Sequence, residues 1–119
     1  MARHNELGKK GEQLARKFLK KDGFRILDVN WRHEKDELDI VAMDGKTLVI
    51  VEVKTRSTDY FGDPSEAVGK TKKTFMIRAA EAYLETNNLD AEIRYDIISV
   101  ILTGTGHTIR HIKDAFYPE

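Results

Sequence analysis

Residues 36–56 read DELDIVAMDGKTLVIVEVKTR, two apolar segments separated by Asp44-Gly45. Asp-Gly is a strong signal for a two-residue β-hairpin turn, so the segments predict a pair of antiparallel strands. The second segment, residues 47–53, is almost continuously apolar, which is typical of a central strand buried on both faces. We therefore expect this hairpin to form the centre of a sheet.

Charged side chains of the predicted hairpin share one face. With Asp44-Gly45 as the turn, the pairing places Asp39 opposite Ile50 and diagonal to Glu52. Side chains alternate along a strand, so Lys54 follows Glu52 on the same face, at the end of the apolar run. The sequence thus predicts two carboxylates and one ammonium group close together.

This arrangement suggests a specific chemistry. Two adjacent carboxylates repel each other, so one of them takes up a proton or a cation lies between them. Carboxylate oxygens are ligands for Mg²⁺ or Mn²⁺, which keep several waters. A metal bound by Asp39 and Glu52 activates water, and Lys54 stabilises charge on a phosphate, which indicates phosphodiester hydrolysis. The structural alternative is an ion network of Glu52 and Lys54 at a strand end.

The rest of the chain predicts an α/β fold. Helical periodicity indicates a helix over residues 5–22, and a second helix begins at Asp63 and has its apolar stripe over residues 71–85. Strands are predicted over residues 24–32, 37–43, 47–53, 92–102 and 107–113. The order is αβββαββ. A helix joins the third and fourth strands, which are therefore expected to be parallel neighbours in a small mixed β-sheet flanked by helices.

Length and composition limit the classes of protein. The 119 residues predict one domain, residues 1–119. Cysteine is absent, which excludes disulfides, iron–sulfur clusters and zinc–thiolate sites. No apolar run approaches the roughly 20 residues of a membrane helix, and the N-terminal residues do not resemble a secretory signal. We expect a soluble, cytoplasmic protein that makes no contact with a membrane.

Charge is segregated along the chain, although 20 basic and 20 acidic residues give a net charge of zero. Residues 1–35 hold ten Lys or Arg and five acids, and residues 54–78 hold six basic and three acidic residues. Residues 36–53 hold five acids and one Lys, and residues 79–119 hold seven acids and three basic residues. An acidic strip between basic segments is compatible with a phosphate-bearing partner, so neutrality does not exclude nucleic acid.

Several motifs together resemble a known group of proteins. Residues 37–41 and 51–56 resemble the Asp…Glu-x-Lys core of the restriction-endonuclease-like superfamily. The closer resemblance is to the uncharacterised bacterial YraN-like family, and beyond it to archaeal Holliday-junction resolvases. It covers nearly the whole chain and includes Gly8–Glu12, Asn30–Arg32, Phe61–Pro64, Ala67-Val68 with Lys72, and Arg94–Ile97. Asp36 departs from the pattern, because the family usually has glycine there.

The resemblance implies a restriction-endonuclease-like fold and a metal-dependent centre formed by Asp39, Glu52 and Lys54. It also implies Glu12 as a further catalytic carboxylate from the first helix. The expected activity is a Mg²⁺-dependent (or Mn²⁺-dependent) nuclease that acts on structured or branched DNA. The alternatives are a non-catalytic nucleic-acid-binding module on the same fold, and a protein-interaction domain.

Basic residues near the predicted centre are candidate phosphate contacts: Arg56, Lys9, Lys10 and Lys72. The expected polymer is DNA rather than RNA, and a homodimer is possible because two strands need two sites. Tyr60 and Phe61 either stack on a base or anchor their loop. His107 and His111 are expected on a solvated edge strand rather than at a metal, and Arg94 is expected to pair with Asp96.

Overall fold

The computed structural model describes residues 3–57 and 68–118 of the chain. Seven elements follow in the predicted order: α1 (Arg3–Lys21), β1 (Arg25–His33), β2 (Asp36–Asp44), β3 (Thr47–Ser57), α2 (Lys70–Thr86), β4 (Ile93–Leu102) and β5 (His107–Phe116). Strands β3 and β5 extend several residues beyond their predicted ends. The predicted helix start at Asp63 lies outside the described residues.

The strands form one mixed sheet with the order β1-β2-β3-β4-β5. β3 and β4 are parallel, as predicted, and the other neighbouring pairs are antiparallel. This topology is compatible with a small restriction-endonuclease-like fold. Among the described residues, no helix has both the length and the apolar character needed to cross a membrane.

The helices cover opposite faces of the sheet. On one face, Ala15 and Leu19 of α1 pack with Val49 and Val51 of β3. On the other face, the buried residues of α2 pack with Leu48 and Ile50 of the same strand; they are Met76, Ala79, Ala80 and Tyr83. Alternate side chains of β3 therefore enter two different cores, which explains its continuous apolar run.

Helix α1 approaches β3 closely at Gly11. A Cβ atom on Gly11 would overlap the side chain of Thr55, whereas a Cβ atom on Gly8 would meet nothing within 4 Å. Glycine at position 11 therefore allows a contact between helix and strand that any other residue would obstruct. The same contact sets the distance of Glu12, the next residue of α1, from the sheet.

The register of the central hairpin differs from the prediction. Asp44 pairs with Thr47, so the two turn residues are Gly45-Lys46, and the predicted turn at Asp44-Gly45 is wrong. Gly45 has a φ of 63°, and Lys46 has no positive φ, which is the type II′ pattern with glycine at the first turn position. Within this ladder, from Asp44–Thr47 to Ile40–Val51, the faces stay as predicted, because the pairing moves by an even number of residues.

Candidate functional site

At the end of the β2–β3 ladder, the side chain of Asp39 on β2 forms a hydrogen bond with the backbone of β3. Their pairing runs from Asp44–Thr47 to Ile40–Val51, and the same register places Asp39 directly opposite Glu52 rather than diagonal to it. Asp39 Oδ2 accepts a hydrogen bond from the backbone N–H of Val53 at 2.9 Å. The Asp39 carboxylate therefore binds β3 at the point where the predicted metal ligands meet.

The strand geometry changes at Asp39. Leu38 packs in the core on the α2 side, and Ile40 packs in the core on the α1 side, although residues two apart in a regular strand share a face. Asn30 on β1 lies across from Asp39 and has a φ of 51°. Asparagine tolerates this left-handed backbone better than most residues. The regular alternation of side chains between the two faces is therefore interrupted in both β1, at Asn30, and β2, at Asp39.

Asp39 and Glu52 form a half-buried carboxylate pair. The Glu52 side chain is 15% exposed. Burial is the main cause that raises the pKa of both groups, and the negative charge of Asp39 raises the pKa of Glu52 further. The Val53 N–H partly offsets this effect at Asp39. At neutral pH the pair therefore favours either a shared proton or a nearby cation.

Lys72 of α2 supplies such a cation. Its Nζ lies 3.6 Å from Glu52 Oε2, and its charge lowers the pKa of both carboxyl groups. Lys72 is predicted from the sequence as a phosphate contact, but its ion pair with Glu52 is not, because no local spacing links α2 to β3. Contact with phosphate stays a prediction for this residue.

Glu12 approaches the pair from α1, on the opposite face of the sheet from Lys72. Burial raises its pKa, a hydrogen bond with the Asn30 side chain lowers it, and the nearby charge of Asp39 raises it again. The charge of Asp39 thus raises the pKa of both Glu12 and Glu52. Asn30 was not predicted as a site residue, although the family resemblance includes Asn30–Arg32.

The donor set fits a hard divalent cation. Asp39 and Glu52 offer carboxylate oxygens, and burial and mutual repulsion disfavour their charged forms. Mg²⁺ commonly uses one or two protein carboxylates together with water. Within residues 3–57 and 68–118, no group of three or more His, Cys, Asp or Glu side chains has the arrangement of a metal site. The fit is therefore to a two-carboxylate site completed by water, and not to a zinc-type cage.

The other predicted basic residues lie along β3 and α1. Lys54 and Arg56 follow Glu52 by two and four residues on β3, are half-buried, and pair along the backbone with β4. Lys9 and Lys10 are exposed on α1, shortly before Glu12. Strand alternation therefore places Lys54 and Arg56 on the face of Glu52, whereas Lys9 and Lys10 belong to the outer surface of the helix.

Asp36, which stands where the family usually has glycine, forms an ion pair. Its buried carboxylate accepts two hydrogen bonds from Arg78 of α2, both 2.8 Å long. The hydrogen bonds from Arg78 hold the pKa of Asp36 below its usual range. The extra negative charge is thus balanced by α2, which also ties the start of β2 to that helix.

His111 corrects a second expectation. Its side chain is only 6% exposed, and Nε2 lies 2.8 Å from Oδ2 of the fully buried Asp96, so the prediction of a solvated position is wrong. The expected pair of Arg94 with Asp96 is confirmed by two hydrogen bonds of 2.9 Å. His107 is exposed, as predicted, and Tyr60 and Phe61 lie outside the described residues.

Comparison with known proteins identifies a family. The profile described as "Uncharacterised protein family UPF0102" matches residues 11–100. A "UPF0102 protein" of Bacteroides thetaiotaomicron is 50% identical over 118 residues, which cover 99% of this chain and 98% of that protein. Relatives from Flavobacterium psychrophilum and Christiangramia forsetii are 48% and 47% identical over 117 residues, or 98% of each chain. The predicted YraN-like resemblance is confirmed, and the chain belongs to the family UPF0102.

Proposed function

We propose that the protein is a Mg²⁺-dependent nuclease that hydrolyses phosphodiester bonds in structured or branched DNA. The observation that supports this most is the half-buried pair of Asp39 and Glu52, with Lys54 two residues further along β3. Burying two adjacent carboxylates costs stability, and such a cost is typical of functional sites. Mn²⁺ is expected to replace Mg²⁺.

In this proposal each side chain has a defined role. Asp39 and Glu52 hold the cation, and Val53 orients Asp39 through its backbone N–H. A bound Mg²⁺ supplies charge that polarises the phosphate and lowers the pKa of a water. Lys54 stabilises the negative charge that develops on the phosphate, and Glu12 accepts a proton or orients water from the opposite side.

The choice of branched DNA follows from the family resemblance and from the charge. A net charge of zero gives weak long-range attraction to any polyanion, so recognition depends on contacts made when the shapes fit. Arg56, Lys9, Lys10 and Lys72 are proposed to contact phosphates. Cleavage of both strands at a branch requires two copies of the site, so a homodimer is proposed as the working form.

The test is a cleavage assay on three end-labelled substrates: a four-way junction, a flap and a linear duplex, with millimolar Mg²⁺ or Mn²⁺. Wild-type protein is expected to cut a branched substrate, and Glu52→Gln is expected to lose cutting while binding persists. Glu85→Gln, an exposed glutamate on α2, is the control and should cut normally. Full cleavage by purified Glu52→Gln would reject the assignment.

One observation favours a second function, a nucleic-acid-binding module that does not cut. Lys72 pairs with Glu52, so the carboxylates can belong to a structural ion network. Such a module would bind DNA with a steep dependence on salt and without any change on adding Mg²⁺. NMR titration of the Asp39 and Glu52 carboxyl carbons with Mg²⁺ separates the two functions, because only the nuclease requires these signals to shift.

A further inference from the structure

A groove lies between the first turns of α2 and the end of β5, outside the carboxylate site. Its volume is about 740 Å³. Two segments of the chain line it. Helix α2 contributes Lys70, Lys73, Thr74 and Ile77, and the other side is formed by Phe116, the last residue of β5, and Tyr117, which follows it. The lining therefore combines aromatic rings with two ammonium groups, and none of these lining residues is acidic.

The base of the groove is a fixed aromatic surface. Phe116 stacks on Tyr95 of β4, with ring centroids 5.0 Å apart and planes 17° apart, and both residues are buried. Lys73 Nζ lies 5.3 Å from the centroid of the Phe116 ring, a cation–π distance. This contact holds the positive charge of Lys73 over the aromatic surface. The groove therefore suits a ligand that carries both a negative charge and an aromatic ring.

Tyr117 is the exposed part of the groove. Its exposure is 73%, and among the described residues the other exposed large hydrophobic side chain is Leu89, at 38%. An exposed aromatic side chain beside lysines is the arrangement that binds single-stranded nucleic acid, because bases stack on the ring and phosphates contact the cations. Lys70 adds to the attraction, since it begins α2, where the helix dipole favours anions.

We infer that this groove binds an unpaired nucleotide of a nucleic-acid substrate, with its base on Tyr117 and its phosphate at Lys70 and Lys73. This inference rests on the proposed function for the identity of the polymer. Lys72 and Lys73 are consecutive, so the first turn of α2 separates the groove from Glu52. The preferred substrate then has a single-stranded segment next to the bond that is cut.

The experiment measures binding without cleavage. Fluorescence anisotropy of a labelled oligothymidine and of a blunt duplex is recorded with Glu52→Gln protein and no divalent metal. Adding Tyr117→Ala is expected to weaken oligothymidine binding by about 5- to 100-fold, the contribution of one stacked base, and to leave duplex binding unchanged. Tyr117→Trp should retain binding, and the fluorescence of that tryptophan should be quenched by the oligonucleotide. Leu89→Ala is the matched control and should bind as the parent does.

Two results would overturn the inference. One is oligothymidine binding that Tyr117→Ala leaves unchanged, and the other is an equal loss for the blunt duplex, which would show a contact other than base stacking. Failure of the proposed nuclease activity gives a different pattern, because oligothymidine binding would still depend on Tyr117 while the wild-type protein cuts no substrate.

Discussion

Replacing Gly11 with alanine tests how closely α1 packs on β3. The added methyl group would come too close to three atoms of Thr55: Oγ1, Cβ and Cγ2. Overpacking of this kind costs about 1–3 kcal/mol, while glycine to alanine in a helix gains about 1 kcal/mol. Gly11→Ala is therefore expected to lower the free energy of unfolding by up to about 2 kcal/mol.

Gly8→Ala is the matched control on the same helix. Nothing lies within 4 Å of its added methyl group, so it should raise stability by about 1 kcal/mol through helix propensity alone. The difference between the two variants isolates the overlap with Thr55, about 1–3 kcal/mol, because the propensity gain is common to both.

Urea unfolding followed by circular dichroism and tryptophan fluorescence measures this difference. Stability falls by about 1–3 kcal/mol per molar urea, so the two midpoints should differ by roughly 0.3–3 M. Thr55→Ala removes two of the three crowded atoms and should restore part of the loss in Gly11→Ala. Coincident midpoints for Gly8→Ala and Gly11→Ala would refute the close contact.

Three further predictions concern the buried charges. Because the folded-state pKa of Glu52 lies above its unfolded value of 4.5, the metal-free protein should lose stability as pH rises from about 4.5 to about 8, and Glu52→Gln should reduce this loss in thermal unfolding scans. Lys72→Met should raise the Glu52 pKa further, measured by the carboxyl carbon shift in an NMR titration; an unchanged pKa would contradict the ion pair. Asp96→Asn leaves Arg94 and His111 with a neutral partner and should cost about 3–5 kcal/mol in urea unfolding, whereas the exposed control Asp90→Asn should cost little.

Local signals in the sequence predict most of the fold. The apolar run of residues 47–53 identifies a strand with two buried faces, and β3 sends alternate side chains into two cores. The register of the turn was not predicted correctly, because Asp-Gly indicates a turn but does not determine which two residues lie at its centre. Gly45 at the first turn position moves the pairing and brings Asp39 directly opposite Glu52.

Residue spacing alone predicts the site only where its residues lie on one hairpin, whereas Glu12 of α1 was implied by the family resemblance. Asp39 and Glu52 are brought together by strand pairing, which sequence spacing encodes. The contacts of Lys72 with Glu52 and of Arg78 with Asp36 depend on how α2 lies across the sheet, which local periodicity does not determine. His111 was misjudged for a related reason, because its burial depends on the ring of Phe18 from α1 and on Asp96 from β4.

In the proposed function, Asp39 and Glu52 together bind a divalent cation. The most direct test of this binding is the anomalous diffraction of Mn²⁺ in crystals soaked at millimolar concentration, with crystals of Glu52→Gln as the reference. If both carboxylates bind the cation, a Mn²⁺ peak is expected at roughly 2.0–2.3 Å from oxygens of both, and no peak is expected in the variant. Wild-type crystals with no peak at Asp39 and Glu52, or a peak that remains in Glu52→Gln, would contradict the proposal.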